Sequence, residues 1–242
     1  MIDTADAYCR DESDKHHNER LVREALHSYG GDAAGCVVAT KGGCIRPGGR
    51  WETRGDPDYL RRTIRESHSA LGDSDPIALW QHHAPDRGVP LEDSLAVVKE
   101  AVDEGLIRHV GVSNYSVDEI ERARKVVDVV SVQNQYSPWH RQPERDGVLR
   151  YCEREGLTFL PWSPLGGSGR AKRLGDYPDL AALARDKGVS PQRLVLAWLR
   201  AKSPCVLPIP GASRVASLED SVAADELELS GEEVARIDRA TA

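Results

Sequence analysis

Sulphur-containing and phenylalanine side chains are scarce in this chain of 242 residues, which has five Cys, one Met and one Phe. The number of cysteines is odd and no two form a C-x-x-C pair, which argues against a disulfide or zinc framework and favours a reducing cytoplasm. No apolar run approaches the roughly 18 residues of a membrane span, and no secretory leader opens the chain. We therefore predict a cytoplasmic protein with neither a metal site nor a membrane partner.

Positive charge is also in short supply. The 32 Lys and Arg residues stand against 39 Asp and Glu, which gives a formal net charge of -7. A nucleic-acid partner is not expected, because a phosphate backbone selects a basic face. The basic cluster at 170–173 (RAKR) does not change this. It is either a solvated loop or a contact for a phosphate-bearing ligand.

Short apolar runs rich in β-branched residues alternate with amphipathic stretches of helical period. This alternation predicts βα units and a parallel sheet covered on both faces. The apolar runs begin at Met1 and recur at 36–39, 77–80, 110–112, 129–132, 157–160 and 205–207. The helical patterns lie at 57–71, 91–104, 117–126, 144–155, 179–187, 191–201 and 218–224. Ser116 and Ser190 mark helix starts, and glycines at 72, 105, 156 and 188 mark helix ends.

Polar groups at the strand ends distinguish between two parallel-sheet folds. Nearly every strand ends in a polar or Gly-rich group, such as 40–43 (TKGG), 81–83 (QHH) and 133–136 (QNQY). A (β/α)8 barrel collects such ends at one mouth. A doubly wound dinucleotide fold would instead need a G-x-G-x-x-G turn, which the sequence lacks. No linker divides the chain, so we predict a single α/β domain of the TIM-barrel type over residues 1–242.

Seven segments, in order, resemble motifs of the aldo-keto reductase superfamily, in particular its bacterial members. The first three are 2–8 (IDTADAY), 39–43 (ATKGG) and 81–86 (QHHAPD), and four more follow at 107–114, 132–136, 162–167 and 208–214. The resemblance covers the whole chain. It implies an oxidoreductase that reduces a small aldehyde or ketone by hydride transfer from NADP(H).

The resemblance implies a catalytic group of Asp3, Tyr8, Lys41 and His83. Tyr8 is the implied proton donor, and its ordinary pKa of about 10 is too high for easy donation near pH 7. We expect the charge of Lys41, held in place by Asp3, to lower that pKa. His83 is implied to orient the carbonyl oxygen. Neighbours in a strand point to opposite faces, so His82 is expected to face the helices.

The cofactor is implied to bind mainly to the second half of the chain. Trp162 is implied to stack on the nicotinamide, and Arg214 at a helix start is implied to bind the 2′-phosphate, which favours NADP over NAD. Ser217, Asp220 and Ser221 depart from the residues common at their positions. The full set implied is Ser113, Asn114 and Gln133 at the carboxamide, Trp162, Ser163, Pro164, Leu165 and Gly166 along the ring and pyrophosphate, and Pro210, Gly211, Ser213, Arg214, Ser217, Asp220 and Ser221 towards the adenosine.

The substrate pocket is assigned to aromatic residues in predicted mouth loops. Trp51 and Trp139 lie in such loops, and Tyr136 follows a strand end. Cys9 and Cys44 have no activating arrangement beyond a nearby lysine, so we expect neither to act as a nucleophile. The sequence does not identify the substrate.

Seven strands, counted from the one that carries Asp3, are one βα unit short of a complete barrel. The strands at Ile2 and Val206 are then expected to border a gap. Residues upstream, a rearranged terminus or a neighbouring subunit in a homo-oligomer would cover it. Two alternative functions stay open: non-redox acid/base chemistry, as in a dehydratase or cyclase, and a non-catalytic subunit that senses the cofactor. The retained motifs favour a working reductase.

Overall fold

A computed structural model describes residues 1–33 and 35–241 of the chain. The chain divides into two units, Met1–Val132 and Gln133–Ala242. No helix in the described part is both long and apolar enough to cross a membrane. The expectation of one domain over residues 1–242 stays a prediction.

The first unit alternates strands and helices, as the sequence predicts. Its elements are β1 (Ile2–Asp3), α1 (His17–Ser28), β2 (Val38–Gly42), β3 (Cys44–Ile45), β4 (Glu52–Thr53), α2 (Pro57–Leu71), β5 (Ile77–His82), α3 (Leu91–Asp103), β6 (Ile107–Ser113), α4 (Val117–Ala123) and β7 (Val129–Gln133). Strands β1, β2, β5, β6 and β7 follow one another in a sheet. The pairs β1–β2, β2–β5 and β5–β6 are parallel. Their carboxyl ends therefore lie at one edge.

The core of the first unit lies between this sheet and the helices α2, α3 and α4. Leu60 and Ile64 of α2, Leu95 of α3 and Ile120 of α4 are fully buried. The start of α2 is fixed by Asp56, whose carboxylate accepts a 2.9 Å hydrogen bond from the backbone N–H of Tyr59. These helices pack against the sheet, and the sheet positions the residues at its carboxyl edge.

The second unit is mainly helical. Its elements are α5 (Gln142–Arg145), α6 (Val148–Glu155), β8 (Thr158–Phe159), α7 (Ser168–Ala171), α8 (Pro178–Lys187), α9 (Pro191–Lys202), α10 (Val215–Val222) and α11 (Gly231–Ala240). Gly147, with a φ of 83°, separates α5 from α6, where the sequence predicted one helix over 144–155. The helix ends predicted at glycines 72, 105, 156 and 188 are confirmed, since each has a positive φ.

The strand expected at 205–207 is reduced to a single bridge between Phe159 and Val206. Phe159 donates to the carbonyl of Cys205 over 2.8 Å and accepts from the N–H of Leu207 over 2.9 Å. Prolines 204 and 208 flank this bridge. The next bond of the ladder would need an N–H at residue 161 to donate to the carbonyl of Leu207, and residue 161 is a proline, so the ladder ends there.

Candidate active site

Four side chains predicted to be catalytic lie together at the carboxyl edge of the first unit's sheet. Lys41 stands at the end of β2, and only 1% of it is exposed. Its ammonium donates to Asp3 Oδ2 over 2.6 Å and to the carbonyl of Thr4 over 2.8 Å. The side-chain amide of Gln81, in β5, donates to the other carboxylate oxygen of Asp3 over 3.4 Å. Asp3 is thus held from two neighbouring strands.

Tyr8 lies beside this ion pair. The Lys41 ammonium is 4.8 Å from the centroid of the Tyr8 ring. Burial raises the pKa of Tyr8 above its ordinary value, and the charge of and hydrogen bond to Lys41 lower it by less. The negative charge of Asp3 also raises this pKa. The net shift is therefore upward, whereas the sequence led us to expect a fall. The expectation neglected desolvation, which disfavours the phenolate.

His83 follows β5 directly and faces Tyr8, with ring centroids 6.1 Å apart. Its backbone N–H donates to the carbonyl of Gly42 over 2.9 Å, and its carbonyl accepts from the Asn114 side chain over 2.9 Å. Burial lowers the pKa of His83 to about 3, assisted by the charge of Lys41. The imidazole is therefore neutral near pH 7. In that form it offers one N–H donor and one acceptor nitrogen.

His82 points to the other side of β5. Its ring stacks on Trp80 at 6.4 Å between centroids, and its Nδ1 lies 2.6 Å from the hydroxyl of Tyr115. A Cβ added to Gly42 would meet both Trp80 and Thr63 of α2, so Trp80 lies on the helix-facing side. His82 shares that side, as the alternation of a strand requires.

A buried polar network behind Tyr8 was not anticipated. Asp6 is fully buried, and its Oδ2 accepts from Thr63 over 2.7 Å and lies 3.1 Å from the Lys15 ammonium. The backbone N–H of Asp6 donates to the carbonyl of Lys41 over 3.0 Å. Burial raises the pKa of Asp6 to about 6. This network ties the 4–8 segment, which carries Tyr8, to both β2 and α2.

Trp51 is the predicted pocket residue that lies at this site. Its ring centroid is 6.3 Å from that of Tyr8 and 5.7 Å from that of His83, with edge-to-face geometry in both pairs. The guanidinium of Arg46 lies 4.4 Å from the Trp51 ring centroid. Sequence reasoning missed Arg46, although its position in a Gly- and Pro-rich loop after Lys41 was the available signal.

The two cysteines nearest the site are not thiolates at neutral pH. Burial raises the pKa of Cys44 to about 12 and also raises that of Cys9. A protonated thiol is a poor nucleophile. Covalent thiol catalysis is therefore not supported at either residue.

In the first unit, two residues were predicted to bind the nicotinamide carboxamide. Ser113 is buried at the end of β6, and Asn114 adopts a left-handed backbone with a φ of 62°. The Asn114 amide nitrogen donates to the carbonyl of His83 and, over 3.2 Å, to Ser113 Oγ. Asn114 therefore supports the backbone that carries His83.

In the second unit, the residues predicted along the cofactor form a loop and an exposed segment. The N–H of Trp162 donates to the carbonyl of Asn134 over 3.1 Å, and the positive φ of Ser163 turns the chain after it. The remaining members divide by exposure. Gln133 and Pro164 are buried, Leu165, Gly166, Pro210 and Ser217 are half-buried, and Gly211, Ser213 and Arg214 are exposed.

Asp220 and Ser221, expected towards the adenine, have partners inside the second unit. The Asp220 carboxylate pairs with the Arg193 guanidinium at 2.8 Å and accepts from the hydroxyl of Ser190. Ser221 donates to the carbonyl of Ser217 over 2.8 Å. Their side chains therefore stabilise α10 and its contact with α9, and the expected contact with the adenine stays a prediction.

Tyr136 does not line an open substrate pocket in this structure, where the sequence analysis placed it. It is fully buried, and its ring packs against Phe159 and Trp198 with centroids 5.9 and 5.6 Å apart. Its hydroxyl donates to Glu144 over 2.7 Å. Tyr136 therefore belongs to the core of the second unit. Trp139, the other assigned residue, is half-buried near the Arg170 guanidinium.

Comparisons with known proteins show the family of the chain. The model of the Aldo/keto reductase family matches residues 1–242. An uncharacterised oxidoreductase of Schizosaccharomyces pombe is 41% identical over 239 residues, which are 98% of this chain and 73% of that protein. Pyridoxine 4-dehydrogenase of Escherichia coli is 32% identical over 244 residues, covering 98% of this chain and 80% of that protein.

Solved structures give the same result for the fold. A thermostable aldo-keto reductase bound to the inhibitor epalrestat matches with a TM-score of 0.81 and 32% identity, over 99% of this chain and 81% of that one. An aldo/keto reductase from Klebsiella pneumoniae in complex with NADP and acetate matches with a TM-score of 0.81 and 26% identity, over 98% and 78%. The predicted class, an α/β fold of the (β/α)8-barrel type, is confirmed.

Proposed function

We propose that this chain, which belongs to the aldo/keto reductase family, reduces a small aldehyde or ketone to an alcohol with NADPH, and that Tyr8 donates the proton. The observation that carries the proposal is the placement of Tyr8 beside the buried Lys41–Asp3 pair and the neutral His83 ring. These groups meet what carbonyl reduction requires on the oxygen side: a proton donor, a cation and a hydrogen-bond donor.

Each of these residues has a separate part in the proposed reaction. Tyr8 stays protonated at neutral pH, because its pKa is raised, and gives its proton to the carbonyl oxygen as negative charge develops there. Lys41 stabilises the phenolate that Tyr8 becomes, and Asp3 keeps the ammonium in position. His83, neutral at this pH, donates an N–H to the same oxygen and fixes its orientation.

The nicotinamide, when bound, supplies the hydride to the carbonyl carbon. The chain offers suitable groups for such a cofactor in each unit. In the first unit, Ser113 and Asn114 stand at the end of β6 next to the His83 backbone. In the second, Trp162 presents a half-buried indole, and the start of α10 has no side-chain cap.

NADP is proposed over NAD because of the residues at the start of α10. Arg214 is the exposed residue that precedes this helix, and Ser213 is exposed beside it. An uncapped helix start leaves backbone N–H groups for a phosphate, and a guanidinium adds two parallel donors. A relative from Klebsiella pneumoniae was solved in complex with NADP, which supports this choice. The five free cysteines suit a reducing cytoplasm, where we propose that the chain acts.

The proposal is tested by cofactor binding and turnover in the wild type and in Tyr8→Phe. NADPH fluorescence is expected to change on binding to both proteins, whereas the kcat of the variant for aldehyde reduction falls by roughly 10²- to 10⁴-fold. Tyr29→Phe, at a tyrosine that is 68% exposed, is the matched control and retains full activity.

Three results would contradict this function. If NADPH does not bind at high micromolar concentration, the reductase function is excluded and non-redox acid/base chemistry becomes the favoured function. Binding without turnover of any aldehyde or ketone indicates a cofactor-sensing subunit. Undiminished turnover in Tyr8→Phe removes Tyr8 as the donor while keeping the reductase.

A further inference from the structure

A cavity of about 560 Å³ opens beside Tyr8 within the first unit. Its walls combine a catalytic residue with two cations. The lining residues are Tyr8, Cys9, Arg10, Asp14, His17 and Arg46. A space of this size accommodates a small organic molecule. Because Tyr8 forms part of the wall, a molecule in the cavity is within reach of the proposed proton donor.

Arg46 brings a positive charge without a carboxylate partner to this cavity. Its Nε and Nη2 donate to the carbonyl of Gly49 over 3.1 and 2.6 Å, and its guanidinium lies over the Trp51 ring. It forms no ion pair among residues 1–33 and 35–241. A guanidinium carries five N–H groups. Two N–H groups on Nη1 and one on Nη2 are not used in these bonds, and they form the outer edge of the guanidinium. This edge matches the two oxygens of a carboxylate.

The other two cations near Tyr8 have carboxylate partners. Arg10 lies 4.0 Å from Asp14, and its side chain is 92% exposed. Glu12 accepts a hydrogen bond from the backbone N–H of Arg46 and does not pair with the guanidinium. The ammonium of Lys41, behind Tyr8, is paired with Asp3. Of the two arginines that line the cavity, Arg46 is therefore the one whose guanidinium has no carboxylate partner among the described residues.

Arg46 is also at a suitable distance from the proposed reaction centre. Its guanidinium lies 4.4 Å from the Trp51 ring, and that ring lies 6.3 Å from the Tyr8 ring. The guanidinium and the Tyr8 ring are thus no farther apart than these two distances combined. A molecule that spans one aromatic ring, or a chain of a few carbons, reaches from one group to the other.

We propose that Arg46 binds an anionic substituent, a carboxylate or a phosphate, at the end of the substrate remote from its carbonyl group. The inference rests on the proposed reductase function and names the substrate class of the same site. The substrate is then an oxo acid or aldehyde phosphate, with its carbonyl at Tyr8 and its anion at Arg46. Trp51 lies against the guanidinium at one side and near the Tyr8 ring at the other, and so helps to hold both groups in place.

The test compares 4-carboxybenzaldehyde with 4-formylbenzamide, a neutral molecule of nearly the same shape. Arg46→Gln is expected to lower kcat/KM for the carboxylate by roughly 10- to 100-fold, mainly through KM, because a charge-assisted hydrogen-bonded pair is lost. For the amide the same substitution changes kcat/KM less than about threefold. Arg46→Lys restores part of the loss, since it keeps the charge without the planar edge.

Arg50→Gln is the matched control. Arg50 lies in the same loop, its side chain is 74% exposed, and it pairs with Glu52. This variant is expected to treat both substrates as the wild type does. A third substrate, 4-formylphenyl phosphate, separates the two anions: the natural substituent is the one whose turnover depends more strongly on Arg46.

The inference is overturned if Arg46→Gln slows both aldehydes equally, which indicates a disturbed loop, or if it slows neither. Failure of the reductase function is recognised separately. If no aldehyde is turned over, calorimetric titration with 4-(hydroxymethyl)benzoate still measures the anion site. If this ligand binds Arg46→Gln at least tenfold more weakly than the wild type, the anion site is supported even though the reductase function is not. Equal binding to both proteins overturns the anion site.

Discussion

The ammonium of Lys41 lies 2.6 Å from the carboxylate of Asp3, and the Tyr8 ring lies over the same ammonium at 4.8 Å. Asp3 therefore competes with Tyr8 for one cation. Burial raises the pKa of Tyr8, Lys41 lowers it, and Asp3 raises it. The ion pair thus positions the lysine and weakens its effect on the phenol at the same time.

Substitutions of Asp3 and Lys41 should shift the pH at which kcat/KM declines on the alkaline side, and they should shift it in opposite directions. In Asp3→Asn the carboxylate that raises the pKa of Tyr8 is removed, so this decline shifts to lower pH. In Lys41→Met the cation that lowers this pKa is removed, so the decline shifts to higher pH and kcat falls. The measurement is kcat/KM for one aldehyde at pH values from 6 to 11. Shifts of the same sign in both variants would exclude Tyr8 as the titrating group.

His83 should stay neutral throughout the physiological range. Burial and the neighbouring Lys41 lower its pKa to about 3, so a histidine inflection near pH 6.5 is not expected in the activity profile. NMR titration of labelled histidine should show one ring, absent in His83→Gln, that does not protonate above about pH 5. His83→Gln keeps a neutral N–H donor and should retain more activity than His83→Ala. A titration of this ring near pH 6.5 would refute the assigned neutral role.

The sequence predicts that Asp3, Tyr8, Lys41 and His83 lie together, because they stand in local motifs at strand ends, and the structure brings them together. Their catalytic role stays a prediction. Helix ends could also be predicted from the sequence, since a glycine such as Gly72 adopts the left-handed backbone of a helix end without steric cost. Contacts between distant segments were not accessible. Thr63 and Asp6 are 57 positions apart in the sequence, yet their side chains form a hydrogen bond. No sequence pattern in either segment predicts this hydrogen bond. The predicted direction of the Tyr8 pKa shift was wrong for a related reason. The shift is dominated by burial, which depends on how the whole molecule packs.

Asp6→Asn should change how stability depends on pH. Burial raises the folded-state pKa of Asp6 to about 6, from 3.8 for an ordinary aspartate. The folded protein therefore takes up this proton first on acidification. The stability that Asp6 contributes is fully present below about pH 4 and is lost as the pH rises through 6. At pH 7 its ionised form costs roughly 3 kcal/mol relative to pH 4.

Urea unfolding at pH 4 and pH 7 measures this effect. The free energy of unfolding of the wild type, relative to Asp6→Asn, should be higher at pH 4 than at pH 7 by up to that amount. Asp58→Asn, at a side chain that is 97% exposed, is the matched control and should track the wild type at both values. A difference between wild type and Asp6→Asn that is equal at pH 4 and pH 7 would show that Asp6 has an ordinary pKa.

Gly111, in the middle of β6, should not tolerate a side chain. A Cβ at this position would overlap the hydroxyl of Ser131 and lie 3.0 Å from Cγ of Gln81. Gly111→Ala is therefore expected to lower the free energy of unfolding by about 1–3 kcal/mol. Displacement of Gln81, which donates to Asp3, should lower kcat as well. Gly169→Ala, where no atom lies within 4 Å of the added Cβ, should be neutral.

A second substitution at Ser131 separates the steric cause from other effects of Gly111→Ala. The Ser131 hydroxyl is buried without a hydrogen-bond partner in the described part of the chain, so Ser131→Ala alone should cost little. Combined with Gly111→Ala it removes the closest clash and leaves the Ser131 carbonyl oxygen at 3.2 Å. The double variant should therefore be more stable than Gly111→Ala, with a coupling energy of about 0.5 kcal/mol or more. If the effects of the two substitutions on the free energy of unfolding are strictly additive, the clash with Ser131 is not what destabilises Gly111→Ala. The contact with Gln81 or the strand backbone is then the cause.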